Sequence, residues 1–345
     1  MRIVVFRPGP GFSVQDVAVG WAEALRAAGQ NVVEFNTDDR LSLWGNAFVP
    51  VGSPEEGKFR RALSTTEDVL EMAVDGIYGC VMKTRPHVLL VVSGFFTPPQ
   101  MLEVIRAAGV KVVIVHTESP YEDERQLAIA AHADLNLVND PTGLDAFRQL
   151  GPAEYFPHAY RPTVHHPGDV DPVYACDLSF VGTGFPSRVE WLSRMDLDGL
   201  DVKLAGTWVL ARGTSLERYV LHDLDDCFDN TLTADLYRSS RVGMNLYRRE
   251  AHEHDTAEGW AMGPREVEMA ACGLPFVRDP RPESDELFGG ILPAFSTPEE
   301  ASEQIRWLLA HDGIRQVAAD KARSAIADRT FDAHAARLLR LLEKR

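Results

Sequence analysis

The feature that most restricts this chain is a series of short, almost uninterrupted Val/Ile/Leu runs along its first half. Arg2–Phe6 reads RIVVF, Asn31–Phe35 NVVEF, Val88–Val92 VLLVV, Val110–Val115 VKVVIV and Asp134–Val138 DLNLV. A strand with one face in water alternates apolar and polar residues. Runs such as these belong to strands covered on both faces, as in parallel sheets flanked by helices. Helical patterns fill the intervals. One runs from Ser13 to Ala28, with Val14, Val17, Trp21 and Leu25 at helical spacing; others lie near Thr65–Lys83, Pro98–Ala108 and Glu122–His132. Ser13 and Asp16 have the spacing of a capping box, and Gly29 ends the first helix. Strand–helix–strand repetition with right-handed crossovers predicts a doubly wound α/β domain.

The periodicity lapses at Ala159–Val173 (AYRPTVHHPGDVDPV), which contains three prolines, and then restarts. Strands are predicted at Cys176–Val181, Val202–Ala205, Val242–Leu246 and Pro275–Val277, with helices at Ser187–Met195, Leu232–Ser239 and Glu266–Cys272. Three further helical stretches, near Pro298–Ala310, Gly313–Asp328 and Phe331–Glu343, close the chain. The expected organisation is a Rossmann-like domain over 1–162, a linker over 163–175 and a second such domain over 176–330. A final helix over 331–345 is expected to pack back on the first domain. Two domains of this kind face a central cleft, and their ligands bind beyond the carboxyl ends of the strands.

Composition narrows the partners. With 51 acidic against 35 basic residues the formal charge is −16, which repels phosphate polymers, so a nucleic-acid partner is not expected. No apolar run approaches the roughly 20 residues of a membrane span, and no stretch resembles a secretory leader. Cys80, Cys176, Cys227 and Cys272 are far apart and form no CxxC pair. They read as reduced thiols of a cytoplasmic protein, without a zinc site.

Two segments carry the candidate chemistry of the second half. Gly182-Thr183-Gly184-Phe185-Pro186-Ser187-Arg188 follows a predicted strand and opens a helix. A glycine turn lets backbone N–H groups approach a phosphate, the helix start adds partial positive charge, and Arg188 could neutralise a diphosphate. The same turn is equally compatible with simple strand-to-helix packing. Met262–Val277 is more specific: a helix starts after Pro264, carries Arg265 and Glu268 on one face, and ends at Gly273 before a buried strand. A carboxylate at Glu268 can accept both hydroxyls of a ribose, or it can be a solvated acidic residue favoured by the helix dipole.

The run Glu-Met-Ala-Ala-Cys-Gly-Leu-Pro from Glu268 resembles the E-A-x-A-x-G-x-P signature of the group-1 glycosyltransferase C-terminal domain. Arg265, three residues before that glutamate, resembles the CgeB-like (spore-maturation-type) branch. So do His116-Thr117-Glu118-Ser119-Pro120-Tyr121-Glu122, Val138-Asn139-Asp140 and Phe180-Val181-Gly182. The resemblance implies a GT-B fold, two Rossmann-like doubly wound domains, and a nucleotide-diphosphate sugar as donor substrate, with neither metal nor cofactor. It assigns Glu268 to the ribose. The family's earlier glutamate, eight residues upstream, is Trp260 here, and Glu258 is the nearest acidic candidate.

The donor-binding set expected on this basis is Gly182, Thr183, Gly184, Ser187, Arg188, Asn245, Tyr247, Arg265 and Glu268. Asn245 and Tyr247 close a strand, where they could recognise the base or stack on it; ordinary strand-end packing is the other reading. Gly9 and Gly11 are expected on the acceptor-side loop. His116 and Glu118, at a carboxyl strand end, are the catalytic candidates for acceptor binding or general-base work. The expected activity is metal-independent transfer of a sugar to an unidentified acceptor, with retention favoured over inversion. The alternatives are transfer to modified DNA bases, nucleotide-sugar epimerisation and non-catalytic nucleotide-sugar binding. His252-Glu253-His254-Asp255 lacks a third metal ligand, and Asp223-Leu224-Asp225-Asp226 reads as an exposed acidic turn.

Overall fold

The computed structural model describes residues 1–7, 12–41, 66–250 and 259–344. Gly9, Gly11, the 252–255 cluster and Glu258 lie outside the described residues. The chain divides into two compact units: Met1–Phe156 with Leu338–Arg345, and Pro157–Arg337.

The first unit is built on strands β1 (Arg2–Arg7), β2 (Asn31–Asn36), β3 (Val88–Val92), β4 (Lys111–His116), β5 (Leu135–Val138) and β6 (Ala153–Tyr155). They pair in the order β2-β1-β3-β4-β5-β6, all parallel. Helices α1 (Phe12–Ala27), α2 (Thr66–Thr84), α3 (Pro99–Ala107), α4 (Asp123–Ala130) and α5 (Leu144–Leu150) make the crossovers. Every residue of β3 and β5 is buried, as the unbroken apolar sequence of β3 requires, and in β5 the one polar residue, Asn136, is buried with hydrogen-bond partners. Burying one such Val or Leu stabilises the unit by about 1.5–3 kcal/mol. Helix α5 and strand β6 have no counterpart in the predicted elements. With seven and three residues, they are too short to show a period, and they form because Leu144, Phe147 and Ala153 close a small cluster on Ala130 and Val138.

The second unit repeats the plan on a smaller sheet. Strands β7 (Cys176–Val181), β8 (Val202–Ala205), β9 (Ser240–Asn245) and β10 (Phe276–Arg278) pair in the order β10-β9-β7-β8, again all parallel. Around them run α6 (Pro186–Ser193), α7 (Asn230–Ser239), α8 (Pro264–Cys272), α9 (Pro282–Phe288), α10 (Pro298–Ala310) and α11 (Asp312–Ala325), while α12 (Phe331–Glu343) begins in this unit and ends in the first. Strand order reverses between β7 and β9, and in open α/β sheets ligands bind beyond the carboxyl ends of the strands at such a reversal. The proline-rich segment belongs to this unit. Tyr160 N–H bonds the Arg329 carbonyl at 2.9 Å, Arg238 Nη1 bonds the Val164 carbonyl at 2.9 Å, and Ser239 Oγ accepts the Asp171 N–H at 2.9 Å.

Close backbone approach fixes the loops at that edge. Gly206 has φ +116°, and a Cβ there would lie 2.5 Å from the Gly182 carbonyl oxygen. Gly206→Ala is therefore expected to destabilise the protein by about 2–3 kcal/mol, combining backbone strain with a backbone clash. Gly213→Ala, at φ +76° with open space around it, should cost about 1–2 kcal/mol from strain alone. Urea unfolding of the two variants measures the difference, and equal losses would show that the approach of Gly206 to Gly182 carries no energy.

Candidate functional site

Helix α8 dominates the second unit's polar interior. Gly263 is its N-cap, Pro264 occupies the first helical position where a missing N–H costs nothing, and Gly273 stops it in the left-handed conformation at φ +79°. Residues 266–272 are all buried. The helix is seated tightly because a Cβ added at Gly243 of β9 would collide with the Met269 sulfur. Arg265 and Glu268, one turn apart, share a face. Arg265 Nη1 bonds Glu268 Oε2 at 2.7 Å and also donates to Asn230 Oδ1. Asn230 Nδ2 reaches Glu268 Oε1 at 3.4 Å. Asn230 is held in place because Asp229 caps α7, its carboxylate accepting the Thr231 N–H at 2.7 Å.

Glu268 is 5% exposed. Burial pushes its pKa up, but Arg265 above all, with His165 and Asn230, outweighs this, and the net pKa is lowered. Glu268 thus stays an ionised, acceptor-only group inside the protein. His165 and Asn230 were not among the expected site residues. His165 sits in the proline-rich stretch, buried, with its Nδ1 accepting the Arg161 N–H at 3.3 Å.

The opposite face of α8 carries Glu266, which is fully buried. It accepts Asn245 Nδ2 at 2.6 Å and the hydroxyls of Tyr247 and Ser284. Tyr247 also accepts the Gly263 N–H at 3.3 Å. Asn245 and Tyr247, expected to face a nucleotide base, thus direct their polar ends to an internal carboxylate. Burial pushes Glu266 up to about 7 despite these donors and the Arg278 charge. Nothing in the sequence pattern separated Glu266 from an ordinary acidic residue in a first helical turn.

The glycine turn after β7 is also internally committed. Gly182 N–H bonds the Ala205 carbonyl and Gly184 N–H bonds the Thr207 carbonyl, at 2.9 and 2.8 Å. A side chain at Gly184 would lie 2.5 Å from the ring of Trp208, which is fully buried. The turn therefore has a packing reason for its glycines, and these two N–H groups, expected to face a phosphate, serve the sheet. Arg188 bridges two loops, donating from Nε to the Leu246 carbonyl at 2.9 Å and from Nη1 to the Thr183 carbonyl at 3.0 Å. Ser187 gives its N–H and hydroxyl to the Glu250 carboxylate at 2.7 and 2.9 Å. Trp260, at the position of the family's earlier glutamate, accepts the Glu283 N–H on its carbonyl at 3.0 Å.

In the first unit, His116 and Glu118 end β4 as expected, in different environments. His116 is 1% exposed and packs on Phe147, with ring centroids 4.7 Å apart. Its Nε2 meets Asn136 Oδ1 at 2.8 Å. The Asn136 amide donates to the Ala130 carbonyl at 3.1 Å, so His116 Nε2 carries the hydrogen. Burial lowers its pKa to about 4. A buried neutral ring locked in this way is a structural strut, and a base role for His116 does not follow from its geometry. Glu118 is half-buried, its N–H held by Gln126 Oε1 at 3.1 Å. Asn139 locks Ser119 through both amide groups, at 3.2 and 2.9 Å, and Asp140 accepts the Thr142 N–H at 2.8 Å. The acidic turn holds Asp225 in an exposed ion pair with Arg212 at 3.1 Å. Among the described residues, no helix is long and apolar enough to cross a membrane.

Two Rossmann-like units with wholly parallel sheets are the plan of the GT-B fold, and solved structures of that fold are similar to this chain over nearly its whole length. Sucrose-phosphate synthase from Thermosynechococcus elongatus is similar at TM-score 0.65 and 14% identity, covering 99% of this chain and 98% of that one. Anabaena HepE in complex with UDP-glucose is similar at TM-score 0.60 and 14% identity, covering 98% and 99%. A Listeria monocytogenes protein provisionally assigned as a UDP-N-acetylglucosamine 2-epimerase is similar at TM-score 0.60 and 14% identity, covering 98% and 94%. No curated protein sequence matches the chain. Residues 188–340 match the family model described as glycosyl transferase-like, a span that contains Arg265 and Glu268. The match lies wholly within the second half of the chain, and the likeness to the solved structures concerns the fold.

The buried histidine sets an acid limit on stability. Because the folded pKa of His116 is depressed from 6.5 to about 4, the unfolded chain binds its proton more readily between those values. The stability it supports is complete above pH 6.5 and is lost as pH falls toward 4. His334, lowered to about 3 by burial and by Arg337, Arg329 and His158, acts in the same direction. In urea titrations from pH 7 to pH 5, the wild-type midpoint should fall more steeply than that of His116→Gln, which does not titrate. Identical slopes would remove His116 as a source of the acid sensitivity.

Proposed function

We propose that this protein transfers a sugar from a nucleotide-diphosphate donor to an acceptor, and that its second unit holds the nucleotide. The observation that carries the reading is the Arg265–Glu268 pair, an ionised carboxylate clamped by a guanidinium at 2.7 Å on the helix after the strand-order reversal. Both side chains fall within the span that matches the glycosyl transferase-like family. Glu268 Oε1, whose bond from Asn230 is long at 3.4 Å, is the atom we assign to the ribose hydroxyls. A carboxylate is suited to two vicinal hydroxyl donors because it offers acceptors only. Arg265 supplies positive charge toward the diphosphate, where negative charge builds as the glycosidic bond breaks. On this reading arginine stabilises the leaving group without a metal, and the group-1 resemblance favours retention. Arg265 three residues before Glu268 is the feature on which we place the chain in the CgeB-like branch. In the first unit, Glu118 is assigned to the acceptor side.

A second reading, nucleotide-sugar epimerisation, is favoured by the fold's likeness to the Listeria protein. The two part on one measurement: an epimerase changes the nucleotide sugar with no acceptor present, whereas a transferase accumulates the nucleoside diphosphate only with one.

Thermal-shift measurements with UDP, GDP, ADP and dTDP and their sugars test the site itself. A ligand at a hundred times its Kd should stabilise the wild type by about 2.7 kcal/mol. Glu268→Ala should weaken binding at least roughly tenfold, a loss of about 1.4 kcal/mol, and Arg265→Ala should do likewise. An undiminished shift in Glu268→Ala would end the ribose assignment.

A further inference from the structure

Glu266 lies two residues from Glu268, about 200° around the same helix, and takes no part in the donor contacts assigned above. Its carboxylate gathers three donors from two separate segments. Asn245 ends β9, Tyr247 follows it, and Ser284 belongs to α9. Tyr247 extends the chain of bonds to the Gly263 N–H, the N-cap of α8. The charged groups around this cluster are Arg278 of β10, itself 2% exposed and paired with Asp285 at 2.6 Å, and Arg281, whose guanidinium lies 4.4 Å from the centre of the Tyr247 ring. An apolar side chain of similar volume would fill the place at a lower desolvation cost. What the carboxylate adds is direction: it fixes β9, the loop beyond it, α9 and the first turn of α8 relative to one another.

We propose that Glu266 is a positioning residue for the donor pocket, holding the first turn of α8 so that Arg265 and Glu268 meet a nucleoside diphosphate in register. The inference rests on the donor-pocket reading above. It also gives that pocket a proton dependence. When ionised, Glu266 can accept all three donors; when protonated, it must donate, and the Ser284 or Tyr247 hydroxyl has to turn and accept. That rearrangement loosens one side of the clamp. Burial places the proton's release near pH 7, within the range where the protein can be assayed. Donor binding is then tighter with Glu266 ionised, and by linkage binding expels a proton from it.

The test compares the full-length wild type with Glu266→Gln, which keeps one acceptor but cannot ionise. The probe is whichever of UDP, GDP, ADP and dTDP binds the wild type most tightly. At pH 8 Glu266→Gln should bind it roughly tenfold more weakly, and the difference should close toward pH 6. The nucleotide's own phosphate titrates in both proteins, so the ratio of the two affinities isolates Glu266. Calorimetry near pH 7, in two buffers of different ionisation enthalpy, should show fewer protons released per nucleotide bound by the variant. A ratio that stays constant with pH, together with unchanged proton release, would overturn the inference even if Glu266→Gln melts at a lower temperature. If Glu266→Gln does not fold, Ser284→Ala removes one donor and carries the same test: a pH-dependent affinity ratio supports the inference, and a constant one overturns it. If the wild type binds no nucleoside diphosphate at any pH, the donor-pocket reading fails, and this inference fails with it.

Discussion

A parallel sheet delivers the carboxyl ends of all its strands to one edge, and in both units every described strand pairing is parallel. The central strands have little room for chemistry, since both faces of β3, β4 and β5 are packed. Polar and charged side chains therefore collect where the strands stop, and in the second unit they collect around β7 and β9, where the strand order turns. Asn245, Arg278 and the helix that follows β9 all owe their positions to that edge.

Placing so much charge inside a small domain is expensive unless each group has a partner. Glu283 shows how the cost is offset: it is buried, yet Arg329 Nη1 meets it at 2.6 Å and the Met262 N–H at 2.9 Å. Asp279, also buried, meets Arg249 at 3.0 Å. Glu268 is handled in the same way by Arg265. Glu266 is the exception in kind, because its close partners are neutral hydroxyl and amide groups, with Arg278 acting through its charge. Neutral donors tolerate a proton on the carboxylate far better than a guanidinium does, which is why one buried glutamate is raised in pKa while its neighbour two residues away is lowered.

Much of the fold was legible in the sequence because long parallel strands are written in unbroken apolar letters. VLLVV and VKVVIV could hardly be anything else, and the Gly273 stop of α8 follows from the left-handed turn it takes. The short elements, α5, β6 and α9, carried too few residues for a period and were missed. At the site, Glu268 was readable because it opens a run that resembles the group-1 signature, and i, i+3 spacing puts Arg265 on the same face. Their surroundings were not. Asn230 and His165 reach Glu268 from sequence distances of 38 and about 100 residues, and no local pattern encodes such a meeting. The glycines of the 182–184 turn and the polar ends of Asn245 and Tyr247 could be read either way in the sequence, toward a ligand or into the packing. In the structure they turn inward, because a partner in the fold had claimed them.

The seating of α8 on β9, with Gly243 facing the Met269 sulfur, has one more consequence. A helix pressed against its strand without a gap has no freedom to bend or slide a little at one end. Close-packed interiors transmit strain rather than absorb it, so on the positioning reading above a change at Glu266 is felt at Glu268, two residues along the same short helix.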